Sequence, residues 1–392
     1  MLRETAATAA PAVWEDYAET HALSGRALRV LARATPAQPR PLLRVRAPRL
    51  TPRERPLVSV VIPCYNYAGY LPDAVGSAVA QQAVDVEVII VDDVSTDDSV
   101  HVARRLAATH PNVRVLVRPE NGGHVRAFNA GCEVASGDYV VKLDADDLLA
   151  AGALARATAL FEAHPRVGLV YGHPRHFAGA HPPATRLHEV GWTIWSGRDW
   201  LAERCRLGVS AITNPEMVLR SAVLAEVGPM NPALPYAPDM EIAMRVAAVS
   251  DVGWVGGADQ ALHREHDASM SANDGSGTLV DLVARAGAFA SVFERVGARI
   301  PQAASLRDRA RRALAEDALR FASAAVDRGH PRAEYAALLD FAADVWPPSS
   351  EWARFRRIQR GARAARPAAL ARRAARRIRQ RLYYARWVVS GV

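Results

Sequence analysis

Lysine is almost missing from this chain. Of 49 basic residues in 392, all but one are arginine, and Lys142 is the exception. Cysteine is scarce as well. The three cysteines, Cys64, Cys132 and Cys205, are scattered and odd in number. That argues against a disulfide framework and a zinc site, and suits a reducing compartment. No apolar run approaches the roughly 18 residues a membrane span needs. The N-terminal Met1-Leu2-Arg3-Glu4 has no apolar core of the kind export signals carry, so a cytoplasmic protein is expected. Phosphate-cradling glycine loops are lacking too. No G-x-G-x-x-G follows the first strand-like run and no G-x-x-x-x-G-K-S/T occurs, which counts against a dinucleotide dehydrogenase and a P-loop enzyme.

What is present is unevenly placed. Hydrophobic residues make up 50% of the chain, ample for a core. Residues 351–392 hold thirteen arginines and one acid, Glu351, a net of +12; the whole chain is +8, so residues 1–350 sum to −4. The body is therefore mildly acidic and the basicity is a tail.

The length suggests about two domains with additional helix. Residues 1–55 read as a helical appendage, with a helix near 11–34, and a Pro/Arg-rich linker. From residue 58 the chain alternates short apolar runs with helical spacing. Runs at 58–62, 86–91, 113–117 and 139–143 are β-branched and unalternated, as for strands buried on both faces. Helices are expected at 70–82, after Ser99, and from 123 to 135. This pattern predicts an α/β fold with a mostly parallel sheet and helices on both faces. Ligands of such sheets sit beyond the carboxyl ends of the strands. Three ends here are polar: Tyr65-Asn66, Asp92-Asp93 and Asp144-Ala145-Asp146-Asp147.

The last of these has the sharpest chemistry. Three carboxylates in four residues repel one another, and burial would raise their pKa values. A divalent cation relieves that cost, because hard cations use one or two carboxylates together with substrate phosphates. The same acids would also serve as a helix N-cap and first turn. Lys142 falls on the same strand face as Asp144, where it either adds positive charge to the cleft or ion-pairs with an aspartate. Arg126 is either a second cleft cation or a solvated helix residue.

Four stretches carry a resemblance: VSVVIPCYN (58–66), VIIVDDVSTDDS (88–99), NGGHVRAFNAG (121–131) and GDYVVKLDADD (137–147). Together, in this order, they resemble the nucleotide-binding half of a family 2 glycosyltransferase of the GT-A fold. The resemblance covers about residues 58–270. It implies a domain at 56–275, divided into a nucleotide half at 56–150 and an acceptor half at 151–275. It also implies that Pro63, Tyr65 and Asn66 line the nucleotide pocket and that Asp93 bonds the base. Asp144 and Asp146 would be the D-x-D acids that hold ribose and a Mn²⁺ or Mg²⁺ ion. Val94 departs from the family, which often has glycine there.

In the acceptor half, Pro238-Asp239 opens a helix. The family pattern makes Asp239 the general base, although it usually shows Glu-Asp; the plain alternative is a cap. Glu241 lies two residues on, off the helix face of Asp239. Arg264 and His266 resemble the family's arginine-x-histidine element, which makes His266 a metal ligand or diphosphate contact. Trp192, Trp195 and Trp200 offer either a sugar-stacking platform or core. Residues 172–190, rich in His, Pro and Ala, read as a loop over the acceptor.

Helical spacing then runs through 276–348, and an Arg-rich amphipathic tail occupies 349–392. Such a tail suits an anionic membrane surface at the inner face, and no nucleic-acid reading module accompanies it. The resemblance thus implies a metal-dependent inverting transferase. Its donor would be a nucleoside-diphosphate sugar of UDP or dTDP type, and its acceptor a hydroxyl on a glycan, a lipid-linked glycan or a small molecule. Two alternatives are a nucleotidyltransferase of related fold and a degenerate, non-catalytic domain in a membrane-associated assembly.

Overall fold

The computed structural model describes residues 40–46, 55–210, 212–267, 269, 278–362 and 366–392. The helix expected near 11–34 lies outside them. The first half of the sheet is built from β2 (Leu57–Cys64), β3 (Asp85–Asp92), β4 (Val113–Val117) and β5 (Tyr139–Lys142). These strands are parallel, in the order β5-β2-β3-β4. The helices α1 (Leu71–Val79), α2 (Ser99–Thr109) and α3 (Gly123–Val134) cross between them. The unalternated apolar runs have a direct explanation. Val60, Ile62, Val88, Ile90 and Val141 pack into one core, while Val61, Ile89, Val91 and Val140 pack into the core on the other face. A strand with helices on both sides needs an apolar residue at every position.

The second half is mixed. It comprises β6 (Leu148–Leu149), α4 (Ala153–Ala163), β7 (Val167–Ala178), β8 (Gly191–Trp195), α5 (Gly197–Leu207), β9 (Val218–Arg220), α6 (Ser221–Val227), α7 (Pro238–Ala247) and β10 (Asp251–Glu265). The short β9 stitches the halves together, antiparallel to β5 on one side and β7 on the other. Beyond it, β7 and β10 are parallel while β8 is antiparallel to β10. Parallel pairing thus prevails in the first half of the sheet, and the second half is mixed.

Two sequence expectations change here, and one open alternative is decided. Residues 172–178, read as loop, continue β7 as far as Ala178, paired with the long β10 from His173–Asp259 to Ala178–Glu265. The run lacks β-branched residues and contains Pro174, so it carries no strand signal of its own; its long partner holds it extended. The linker contributes β1 (Leu43–Val45), which pairs with β8 at the far edge of the sheet. Trp192, Trp195 and Trp200 are at most 2% exposed, so they are core and offer no face to a sugar.

Behind α7 stand α8 (Thr278–Val296), α9 (Ala303–Arg328), α10 (Ala336–Val345) and α11 (Ala353–Gln359). The last helix, α12 (Arg366–Ser390), carries most of the arginine tail. Among the described residues, no helix is long and apolar enough to cross a membrane.

Candidate active site

The three polar strand ends converge as the parallel sheet requires. After β2 the chain turns at Asn66, whose φ of 60° is left-handed, a conformation that asparagine tolerates well. Its side chain faces a neighbouring loop. Oδ1 accepts from the backbone of Thr96 at 2.7 Å and Asp97 at 3.3 Å, and the Asn66 amide donates to Ser95 Oγ at 3.0 Å. Asn66 therefore ties the first loop to the loop after β3. Tyr65 beside it is 44% exposed, open to a planar ligand.

Asp93 is buried, and its carboxylate is already occupied. It pairs with Arg118 and accepts from the amides of Gly122 at 3.1 Å and Gly123 at 2.7 Å. The acid sits at the N-terminus of α3, where helix amides favour negative charge. The sequence reading missed Arg118, which had no motif to flag it. His124, in the first turn of α3, was also passed over although it lies inside one of the quoted stretches. It bonds Pro235 O at 2.9 Å, and burial and the Lys142 charge lower its pKa. Arg126 is exposed.

The acids of 144–147 take three different environments. Lys142, buried to 2% exposure, ion-pairs with Asp144, whose other oxygen accepts from Asn214 Nδ2 at 3.2 Å. Burial alone would raise the Asp144 pKa, but the charges of Lys142 and His124 with these bonds bring it below the usual value. Asp147 is sealed. It accepts from the Arg264 amide at 2.8 Å and meets His263 Nδ1 at 3.0 Å. The His263 pKa rises to about 9 against the cost of burial, because of that carboxylate.

Asp146 is the exception. Burial, then the neighbouring charges of Asp147 and Asp144, push its carboxyl up to about 6. Its Oδ2 lies 2.9 Å from His266 Nε2, and the Tyr67 hydroxyl bonds it as well. His266 is held by rings, stacked on Tyr70 at 5.0 Å and edge-on to Tyr67 at 6.0 Å. The Arg264 guanidinium lies between Tyr70 and Phe177 and donates to Asp146 O at 3.0 Å, Gly179 O at 2.8 Å and Asp73 at 3.0 Å. Tyr67 and Tyr70 thus belong to the site although neither stood out in the sequence.

In the second half of the fold, Asp239 opens α7 half-buried. Desolvation raises its pKa to about 6; the Met240 amide and Lys142 lower it, and Asp144 adds to the rise. Asp239 therefore shares the electrostatic field of Lys142 and Asp144. Glu241 does not compete with it. It is fully buried, bonded to Arg245 at 2.8 Å and to Ser291 Oγ at 2.7 Å. Arg245 in turn holds the carbonyls of Val227, Gly228 and Pro229.

The described residues contain no cluster of three or more His, Cys, Asp or Glu donors able to hold a metal alone. Asp146 and His266 supply two donors, and the second ring nitrogen of His266 is buried without a partner. Two protein donors suit a hard cation that arrives with a diphosphate and completes its shell with phosphate oxygens and water.

This architecture, a parallel half-sheet with paired acids at its C-terminal edge, is that of a GT-A-type fold. Residues 59–217 match the model of glycosyl transferase family 2. Curated relatives agree. A chondroitin synthase of Pasteurella multocida is 46% identical over 94 residues, 24% of this chain and 10% of that protein. An uncharacterized glycosyltransferase of Nostoc sp. is 40% identical over 114 residues, 29% of this chain and 35% of that protein. The match thus spans only a tenth to about a third of these relatives. Among solved structures, S. aureus TarS (residues 1–349) in complex with UDP-GlcNAc superposes with a TM-score of 0.56 at 16% identity. It covers 85% of this chain and 92% of that one, a likeness of fold.

Proposed function

We propose that the protein is a metal-dependent, inverting glycosyltransferase that moves a sugar from a nucleoside-diphosphate sugar to a hydroxyl acceptor. The observation that carries this reading is the contrast within the cleft: Asp146 and Asp239 keep carboxyl groups raised to about 6, while Asp93 and Asp144 are neutralised by Arg118 and Lys142. Asp146 and His266 would hold Mn²⁺ or Mg²⁺. Bound there with the donor, such an ion would supply Lewis acidity to offset the charge of a departing diphosphate.

The remaining work falls to side chains. Tyr65, beside Pro63 and Asn66, offers its ring to the base, and Asp93 shapes the amide-lined turn beneath it. Lys142 fixes Asp144 toward the ribose, and Arg126 extends over the phosphates from solvent. Asp239 accepts the proton of the acceptor hydroxyl as it attacks; a base titrating near neutrality is suited to that transfer. Glu241 is sealed by Arg245, so Asp239 acts alone on that side, which suits direct displacement and inversion. A uracil or thymine base is taken as the donor's, and the UDP-GlcNAc bound to TarS supports the uridine choice. The acceptor is a hydroxyl of a glycan, a lipid-linked glycan or a small molecule.

The test is calorimetric titration of the purified protein with UDP- and dTDP-sugars, with Mn²⁺ and with EDTA, followed by assay of nucleoside diphosphate release. Metal-dependent binding of one donor, abolished in Asp146→Asn and retained in Asp239→Asn, supports the reading. Failure to bind any nucleotide sugar with either metal overturns it.

A further inference from the structure

The transfer reaction makes no use of the arginine helix. α12 spans Arg366–Ser390, about 37 Å at helical rise, and its two ends are treated differently. The C-terminal end is docked. Arg386 pairs with Glu203 at 3.1 Å, and Trp387 is buried against the His173 ring at 4.7 Å. Trp195 Nε1 donates to Ser390 O at 3.0 Å, and the Tyr171 hydroxyl donates to Gly391 O. Nearer the start, Arg372 reaches Asp327 of α9 at 3.0 Å. The helix is thus held to the body at two points along one flank.

Its outer flank is different. Leu370, Ala374, Arg377, Ile378 and Arg381 fall within one arc at helical spacing, and all are exposed. Leu370 and Ile378 are 64% and 59% exposed, large apolar side chains left in water next to arginines. We propose that this flank is a docking surface for an anionic lipid bilayer, lying in the plane of the headgroups. Aliphatic side chains gain by entering the acyl boundary, and arginine stems cover apolar surface while their guanidinium heads meet phosphates. Charge complementarity selects the partner. Residues 351–392 carry +12 and the rest of the chain −4, so an anionic surface attracts this flank, repels the body and orients the molecule. The apolar pair separates a bilayer from a nucleic acid, which offers phosphates but no acyl layer to receive Leu370 and Ile378.

Flotation of the full chain with phosphatidylcholine vesicles, with and without phosphatidylglycerol, tests the surface without any requirement for transferase activity. Capture is expected only by anionic vesicles and should weaken with salt. Arg377→Gln with Arg381→Gln should lower the partition coefficient about fivefold per arginine. Leu370→Ser with Ile378→Ser, which leaves the charge unchanged, should also lower it. Thermal unfolding of each variant verifies the fold, and the salt and lipid dependence of the unaltered chain stands without variants. Absence of capture, equal capture by neutral vesicles, or tighter capture by duplex DNA with no effect of the serine pair would each overturn the inference.

Discussion

Two sets of acids at the strand and helix ends are treated in opposite ways. At the ends of β3 and β5, Asp93 and Asp144 are each matched by a cation of the chain, Arg118 and Lys142. Asp146, just past β5, faces His266, and Asp239, at the start of α7, has no ion-pair partner among the described residues; both carboxyls are raised to about 6. Acids matched by the fold can shape a pocket but have little capacity left for an ion or a proton. Acids left crowded or desolvated bind a cation or accept a proton to relieve that state. The contrast separates scaffold from chemistry among residues of identical type.

The largest effect should come from Asp239. Asp239→Asn is expected to lower kcat by roughly 10²- to 10⁴-fold, with donor binding by calorimetry preserved. The group also sets a pH limb. In its proposed role as base Asp239 works ionised, so kcat should rise with pH through about 6 and level above it, and the limb should vanish in the asparagine variant. The stability sign is opposite. A carboxyl raised by the fold disfavours its ionised form there, so its contribution falls as pH rises from the ordinary carboxylate value through about 6. Asp239→Asn should therefore unfold no earlier than the parent at neutral pH in thermal melts.

Arg245→Met sharpens the comparison on the same helix. It removes the close ion pair of buried Glu241, leaving only Ser291 and the more distant Arg295 at 3.7 Å, at a cost of up to about 3–5 kcal/mol, read from denaturant unfolding. Tyr67→Phe removes the hydroxyl that bonds Asp146. Loss of such an outer support typically weakens metal binding on the order of 10-fold, measurable from the Mn²⁺ dependence of nucleotide binding with unchanged unfolding. The smallest effect belongs to Val94, a β-branched residue with φ of 67°. Relief of left-handed strain, about 1–2 kcal/mol, outweighs the added chain entropy of glycine, about 0.5–1 kcal/mol. Val94→Gly should then be neutral to stabilising, by at most about 1.5 kcal/mol, with the nucleotide affinity unchanged.

The parallel half of the fold was legible because its strands are buried on both faces and so carry a dense β-branched signal. The D-x-D acids, Lys142 beside them, and Pro238-Asp239 were legible as clusters in sequence. Residues 172–178 were not, since their extended form is imposed by β10. Neither were Arg118, Tyr67 and Tyr70, whose partners Asp93 and His266 lie 25 or more positions away in the chain. The role of Val94 was half legible: its departure from the family's glycine showed in the sequence, and its positive φ only in the backbone.

What the sequence determined by itself was the order of strands and helices, the resemblance carried by four short stretches, and the set of acids at the strand ends, because these rest on local spacing. What only the tertiary structure decided was which acids are matched and which are left crowded. Asp144 and Asp146 are two residues apart, and Asp239 and Glu241 likewise. Each pair is divided by what the fold does around it: Lys142 stands beside Asp144 and His266 beside Asp146, while Asp239 is desolvated and Glu241 is paired with Arg245. Protonation and metal affinity depend on distance and desolvation, and those are set by packing between segments far apart in the chain.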